Sequence, residues 1–306
     1  MSAVPTAKPV ALVLGTGQLG QELARIESSR VQVKSAGRGA IDVTHAAATE
    51  NAITAIRPAI VLNAIAYTAV DKAETEPAAA FAVNRDGAAT LARICSGLGI
   101  PLVHISTDYV FDGDAGPYTE MSATAPRSVY GDSKLQGEIE IRSCLDRHII
   151  LRTAWLFSAF GNNFVKTMLR LAATKRQISV VDHQFGCPTP AVALARAMIT
   201  LAENAVSGEK LAWGTYHFGG QPATTWRRFA DAIFERASAR GLIGHAPEVI
   251  PITTAQYPTA ARRPANSILT CDTLGALGLA APNWRLGLDE VLDELQRNSV
   301  TRSSLL

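Results

Sequence analysis

The sequence lacks what marks several large protein classes. It has four cysteines in 306 residues, Cys95, Cys144, Cys187 and Cys271, and none forms a Cys-x-x-Cys pair. A disulfide scaffold needs dense, paired cysteines, so that class is excluded, and such sparse use suits a reducing compartment such as the cytoplasm. The six histidines make no His-x-x-x-His or Cys/His cluster. No metal site is therefore expected. No apolar run approaches the roughly 20 residues a membrane helix needs. The apolar stretch at residues 10–14 is too short for a signal-peptide core and runs straight into glycines, so residues 1–9 read as a loose leader. Lys and Arg (29) barely outnumber Asp and Glu (27), for a net charge of +2 without any dense basic block. A nucleic-acid partner is not expected on that basis. What remains is 47% hydrophobic and 18% charged, the make-up of a globular chain with a sizeable core.

What is present is a rhythm. Short apolar runs at residues 10–14, 31–36, 59–63, 100–105 and 149–152 predict strands. They alternate with helical patterns at 18–28, 46–56, 74–98 and 129–145. The long helix at 74–98 carries Phe81, Leu91 and Ile94 and should close at Gly97 and Gly99. Strands alternating with helices predict an α/β fold, a doubly wound parallel sheet of Rossmann type. The rhythm loosens after Asn162. Helices are expected at 163–173, 190–205, 225–240 and 288–297, with a strand at 178–181. Pro251, Pro258, Pro264 and Pro282 punctuate the long connections. The expected division is a dinucleotide-binding domain at 1–160 and a smaller C-terminal substrate-binding region at 161–306, with some segments returning to the first.

Gly15-x-Gly17-x-x-Gly20 lies between the first strand and the first helix. Glycines there let the chain turn sharply and let a pyrophosphate approach the backbone. The helix start, Gln18 and Leu19, offers free N–H groups to it. The second strand ends in Ser35-Ala36-Gly37-Arg38, with no acid to hold ribose hydroxyls. Arg38 can instead pair with a 2′-phosphate through its planar fork, which points to NADPH and leaves NADH open. Asp42 is placed to reach the adenine. Small residues follow the third strand, Asn63-Ala64-Ile65-Ala66, and permit close approach of a ligand.

The central constellation is Thr107 at the end of the fourth strand, followed by Tyr130 and Lys134 on one face of the next helix. A ketone reduced by hydride needs a proton donor at its oxygen. A tyrosine serves if a nearby ammonium pulls its pKa down from about 10. Lys134 supplies that charge and can hold the nicotinamide ribose. Thr107 can donate a hydrogen bond to the same oxygen.

These residues sit in longer runs: Gly17-Gln-Leu-Gly20, Tyr67-Thr-Ala-Val-Asp-Lys-Ala-Glu74, Ser106-Thr-Asp-Tyr-Val-Phe-Asp-Gly113, Tyr130-Gly-Asp-Ser-Lys134, Arg152-Thr-Ala-Trp155, Gly161-Asn-Asn-Phe164, Asp182-His-Gln-Phe-Gly186 and Tyr257-Pro-Thr-Ala-Ala-Arg-Arg-Pro264. With them the chain resembles the extended short-chain dehydrogenases and, more narrowly, the dTDP-4-dehydrorhamnose reductase family, over nearly its full length. The resemblance implies Tyr130 as proton donor, Lys134 as its partner and Thr107 as third catalytic member. It implies that Gly17–Leu19, Asp42, Val43, Ala66, Tyr67 and Thr68 line the cofactor. Asp108 and Trp155 would face the sugar, with Val70 nearby, and Asn163 and Arg262 the nucleotide diphosphate. The implied reaction is hydride transfer from NADPH to C4 of a dTDP-sugar ketone by a monomer or homodimer. One departure stands out: the family places two residues between its first two glycines, and here there is only Thr16. Some relatives hold a divalent metal between subunits, but no cluster here supports carrying that over.

Two rivals share the scaffold. A nucleotide-sugar epimerase would re-deliver its hydride, and a dehydratase needs an Asp-Glu pair where this chain has Asp108-Tyr109. A non-catalytic regulatory subunit would tolerate loss of Tyr130 and Lys134, and both are intact.

Overall fold

The computed structural model describes residues 7–303, with side chains as far as residue 298. The leader expected at residues 1–9 falls mostly outside them. Six strands form one parallel sheet: β1 (Val10–Leu14), β2 (Gln32–Ala36), β3 (Ile60–Asn63), β4 (Leu102–Thr107), β5 (His148–Thr153) and β6 (Gly214–His217). Their order is β2-β1-β3-β4-β5-β6. The order reverses between β1 and β3, so their C-terminal ends open a crevice there, where open α/β sheets bind ligands.

The sheet is apolar on both faces because helices cover both. Leu12 and Leu14 point to one side, against Ile53, Leu91 and Ile141. Ala11 and Val13 point to the other, against Leu19, Leu23, Leu194 and Met198. The first side is covered by α2 (Ala46–Ile56), α3 (Gly87–Leu98) and α4 (Val129–Cys144), the second by α1 (Gln18–Ala24) and a late helix, Ala191–Val206. A separate apolar cluster lies beyond the sheet. Val165, Met168, Phe229, Ile233, Trp284 and Leu288 are buried in it, around the helices Phe164–Ala172, Trp226–Ala239 and Trp284–Ser303.

Several elements differ from the sequence pattern, each for a local reason. The helix expected at 18–28 stops at Ala24, and beyond it the Ser28 hydroxyl accepts from the N–H groups of Arg30 and Val31, a turn that competes with helix. The helix expected at 74–98 is broken. A short helix, Val70–Ala73, precedes a fresh start at Pro77, which sits in the first helical turn where its missing N–H costs nothing. A π-helical turn, Ala82–Asp86, then leads into α3, which continues through Gly97 and is capped by Gly99 in the left-handed conformation. The strand β6 was not expected. It has four residues and begins at a glycine, too short for a periodic signal. Gln177–Val181 pairs in parallel with Glu248–Ile252, a second strand that Pro251 disguises. Among the described residues no helix is long and apolar enough to cross a membrane.

Candidate active site

A cleft of about 740 Å³ opens at the C-terminal ends of the strands. Its floor is the glycine loop. Gly15 has φ +112°, and a Cβ there would sit 3.0 Å from the Ala64 backbone, so the shortened loop presses on the end of β3. Gly17 is the N-cap of α1, and a Cβ there would meet no protein atom within 4 Å, leaving it open to the cleft. Gly20 does not line the cleft; a Cβ on it would lie 2.0 Å from the Gly15 carbonyl oxygen, so it serves the close packing of helix on loop. Gln18 and Leu19 complete this wall, and Ala64, Ala66, Tyr67, Thr68 and Val70 follow from β3.

The Tyr67 segment is held by a residue the sequence did not single out. Asn84, buried in the π-helical turn, accepts from the Tyr67 N–H at 2.8 Å and donates to the Tyr67 carbonyl at 3.2 Å and the Ser133 hydroxyl at 2.9 Å. The wider turn brings that amide within reach of both partners.

Arg38, Asp42 and Val43 lie at one end of the cleft. Arg38 is mostly exposed, and its Nε donates to Asp42 at 2.9 Å. The Asp42 carboxylate also accepts from the Thr44 hydroxyl at 2.7 Å and the Thr44 N–H at 3.1 Å. The Thr44 hydroxyl first, and then Arg38, hold it well below the usual carboxylate range. Asp42 thus anchors Arg38 at the rim.

Thr107, Asp108, Tyr130 and Lys134 meet on the opposite wall. Ser128 caps α4, its hydroxyl accepting from the Gly131 N–H at 3.1 Å, and Glu74 accepts from Val129 N–H at 2.9 Å. Tyr130 and Lys134 follow at once on the inner face, and both are buried. Burial pushes the Tyr130 phenol above its ordinary value, against the pull of the Thr107 hydroxyl. Lys134 does not offset this as expected. Its Nζ points to the Ile105 carbonyl at 2.6 Å and to His104 Nε2 at 3.2 Å, and burial pulls it down to about 8. Asp108 is buried and accepts from the Thr107 hydroxyl at 3.0 Å, and the Ser267 side chain also draws on its carboxylate. Burial pushes its carboxyl up to about 6.

Trp155 overhangs this wall in a left-handed conformation, φ +48°. Its ring stacks on Trp226 with centroids 3.6 Å apart, and both rings line the cleft. A Cβ on Gly186 would come within 2.4 Å of the Trp155 ring, which accounts for the glycine that ends the 182–186 run.

The RmlD substrate binding domain family model matches residues 10–297. The dTDP-4-dehydrorhamnose reductase of Sinorhizobium fredii (strain NBRC 101917 / NGR234) is 44% identical over 271 residues, 88% of this chain and 91% of that one. The chain belongs to the dTDP-4-dehydrorhamnose reductase family. The reductase of Escherichia coli (strain K12) is 40% identical, over 79% of this chain and 82% of its own. Among solved structures, the Bacillus anthracis str. Ames reductase in complex with NADP superposes with a TM-score of 0.87 at 34% identity, covering 94% of this chain and 99% of that one.

Two residues assigned by family resemblance do not reach the cleft. Asn163 caps the helix Phe164–Ala172, accepting from Lys166 N–H at 3.1 Å. Its amide donates to Gln18 at 2.8 Å and to the Ser158 carbonyl at 2.7 Å, so it braces the glycine loop from behind. Arg262 is exposed and pairs with Asp114 at 2.9 Å. Its neighbour Arg263 turns inward. It donates to the Tyr109 hydroxyl at 3.2 Å and to Asp71 at 2.5 Å, tying the 257–264 run to the 67–74 run. Tyr109 in turn lines the cleft and meets Tyr130 edge-on, with centroids 5.5 Å apart. Adjacent arginines share one local pattern, so no spacing in the sequence could have separated these two.

Proposed function

We propose that the protein reduces the C4 ketone of dTDP-4-dehydro-β-L-rhamnose to dTDP-L-rhamnose with NADPH, supplying a nucleotide sugar for polysaccharide precursors. The observation that carries this reading is the meeting of Thr107, Tyr130 and Lys134 across one cleft from an open glycine loop. The fit to a dinucleotide rests on Gly17, whose missing side chain leaves the loop backbone bare. Gly17, Gln18, Leu19 and Ala66 would hold a nicotinamide cofactor, which would supply the hydride. Tyr130 gives its proton to the ketone oxygen. The phenol is protonated at neutral pH and so has a proton to give, although burial makes it a weaker acid than a free tyrosine. Thr107 offers its hydroxyl to the same oxygen. Asp108 lines the cleft beside Thr107, where its carboxylate can accept from a sugar hydroxyl. Trp155 and Trp226 give the sugar an apolar cover. We assign the cluster around Phe229 and Trp284 to the substrate-binding region.

A dehydratase would need an acid beside Asp108. Tyr109 stands there with its hydroxyl on Arg263, so the pair is absent. Reaction in the cytoplasm is supported by four free cysteines. All the assigned groups come from one chain, so a monomer or a homodimer serves equally.

Loss of NADPH absorbance with the dTDP-4-keto-6-deoxy-L-sugar is the decisive assay. Turnover only with other ketones, or release of no dTDP-L-rhamnose, would reject the assignment. Lys134→Ala is expected to weaken cofactor binding as well as turnover, since the amine holds the ribose and supports Tyr130. An unaltered cofactor Kd would leave Lys134 only the second role.

Arg38→Ala is expected to raise the KM for NADPH roughly fivefold to tenfold and to leave that for NADH nearly unchanged. An arginine at an exposed rim contributes about 1 kcal/mol to a 2′-phosphate, and salt erodes it. Equal losses for both cofactors would show instead that Arg38 stacks on the adenine.

A further inference from the structure

His104 is buried on β4 and belongs to none of the roles above. It lies directly across the sheet from Asn63 on β3, and the Asn63 amide nitrogen sits 2.9 Å from His104 Nδ1. Its other ring nitrogen, Nε2, faces Lys134 Nζ at 3.2 Å. The hydrogen positions in this chain follow from one fixed donor. The backbone N–H of Ile65 points at the Asn63 side chain at 3.0 Å, and a backbone N–H can only donate. The Asn63 atom it meets is therefore the carbonyl oxygen. The amide group at the other end must donate to His104 Nδ1. A neutral imidazole with Nδ1 as acceptor carries its proton on Nε2. That N–H points at Lys134, and only an uncharged amine can accept it.

We propose that Asn63 and His104 are positioning residues that hold the ring proton on Nε2 and direct it at Lys134, stabilising the neutral amine at the base of the active site. This rests on the reading of Lys134 as catalytic. Burial keeps His104 well below its ordinary value, so the ring is neutral. The groups acting on Lys134 are few. Ile105 offers its carbonyl and His104 its ring from β4, Tyr130 lies one turn back, and Glu138 lies one turn on. Glu138 is largely neutralised by Arg152 from β5 at 2.7 Å and by Arg142 at 3.0 Å, and His148 from β5 acts on the His104 ring. Burial sets Lys134 near 8. The Lys134 ammonium, which holds the nicotinamide ribose in the reading above, is therefore lost as the pH rises through that value, and turnover should fall with it. The relay also links the Ile65 segment, which lines the cleft, to the lysine's charge.

The test begins with the unaltered protein, labelled with 15N-histidine, with His104 assigned by loss of its signals in His104→Gln. A proton on Nε2 is expected; a proton on Nδ1 overturns the proposal. Asn63→Asp keeps the acceptor for Ile65 but now accepts from the ring. The proton should move to Nδ1, and Nε2 should accept from the lysine ammonium. The Lys134 titration, followed by 13C at Cε, should then shift upward by a unit or more. The alkaline limb of kcat should move by the same amount. A carboxylate acting through space alone would raise Lys134 with the proton still on Nε2, and that result refutes the relay. A shifted lysine with an unmoved kcat limb supports the relay and rejects Lys134 as the group that governs turnover.

Discussion

Tyr130→Phe is expected to lower kcat by about 10²–10⁴-fold, the range that positioned general acids supply. The Kd for NADPH should stay within about twofold, because that variant removes one oxygen and leaves the ring against Tyr109 and Ala80. Stability should change little for the same reason. The size of the effect follows from the surroundings. The phenol is buried and its ionisation is disfavoured, so water has little access to replace it as donor. Thr107 remains, but its alcohol is a far weaker acid than a phenol and can lend only a hydrogen bond. Single-turnover hydride transfer with the dTDP-keto-sugar is the measurement. A rate within a few-fold of the parent removes Tyr130 from the chemistry and leaves the proton to come from Asp108 or solvent.

Gly17→Val and Gly20→Ala are expected to fail in opposite ways, although both alter the same six-residue motif. A side chain at residue 17 meets no protein atom, and the backbone there, φ −70° and ψ −166°, is open to any residue. Gly17→Val should fold with nearly unchanged Tm. Its branched side chain would stand where a pyrophosphate must approach, and cofactor affinity should drop on the order of 100-fold, about 2.7 kcal/mol. At residue 20 the added carbon would lie 2.0 Å from the Gly15 carbonyl oxygen, a backbone atom that cannot swing aside. Gly20→Ala should therefore lose about 1–3 kcal/mol of stability or more. Cofactor binding should suffer only through the shifted loop. Thermal unfolding and cofactor titration of the two variants separate the roles. Normal affinity in folded Gly17→Val would mean that the cofactor crosses the cleft elsewhere.

Much of the site was legible because it is local. Tyr130 and Lys134 are four residues apart on a helix begun by Ser128, and that spacing alone puts them on one face. Gly15, Gly17 and Gly20 lie between a strand and a helix, and the crevice they line follows from chain order in a parallel sheet. The strands β1 and β4 could be read as short continuous apolar runs, because both faces of the sheet are buried. The shortened spacing to Gly17 leaves the loop backbone open to the cleft.

Charge and long-range contact were not legible. The sequence suggested that Lys134 lowers the Tyr130 pKa, but burial of both groups decides the outcome. Lys134 turns to Ile105 and His104, and nothing in a four-residue spacing encodes that choice. Trp155 was visible as a candidate, but its partner Trp226 begins a helix that comes much later in the chain, and the stack exists only once the two regions meet. Arg262 and Arg263 make the same point most sharply. Composition, spacing and motif treat them alike. Arg263 turns in because Asp71, 192 residues earlier, presents a carboxylate there, and Arg262 turns out to Asp114, 148 residues earlier. The sequence by itself determined the alternating elements, the crevice and the Tyr130–Lys134 face, because backbone periodicity and chain order act over short range. The tertiary structure alone decided which arginine serves the site and what Lys134 touches, because those choices depend on burial and on partners brought in from distant segments.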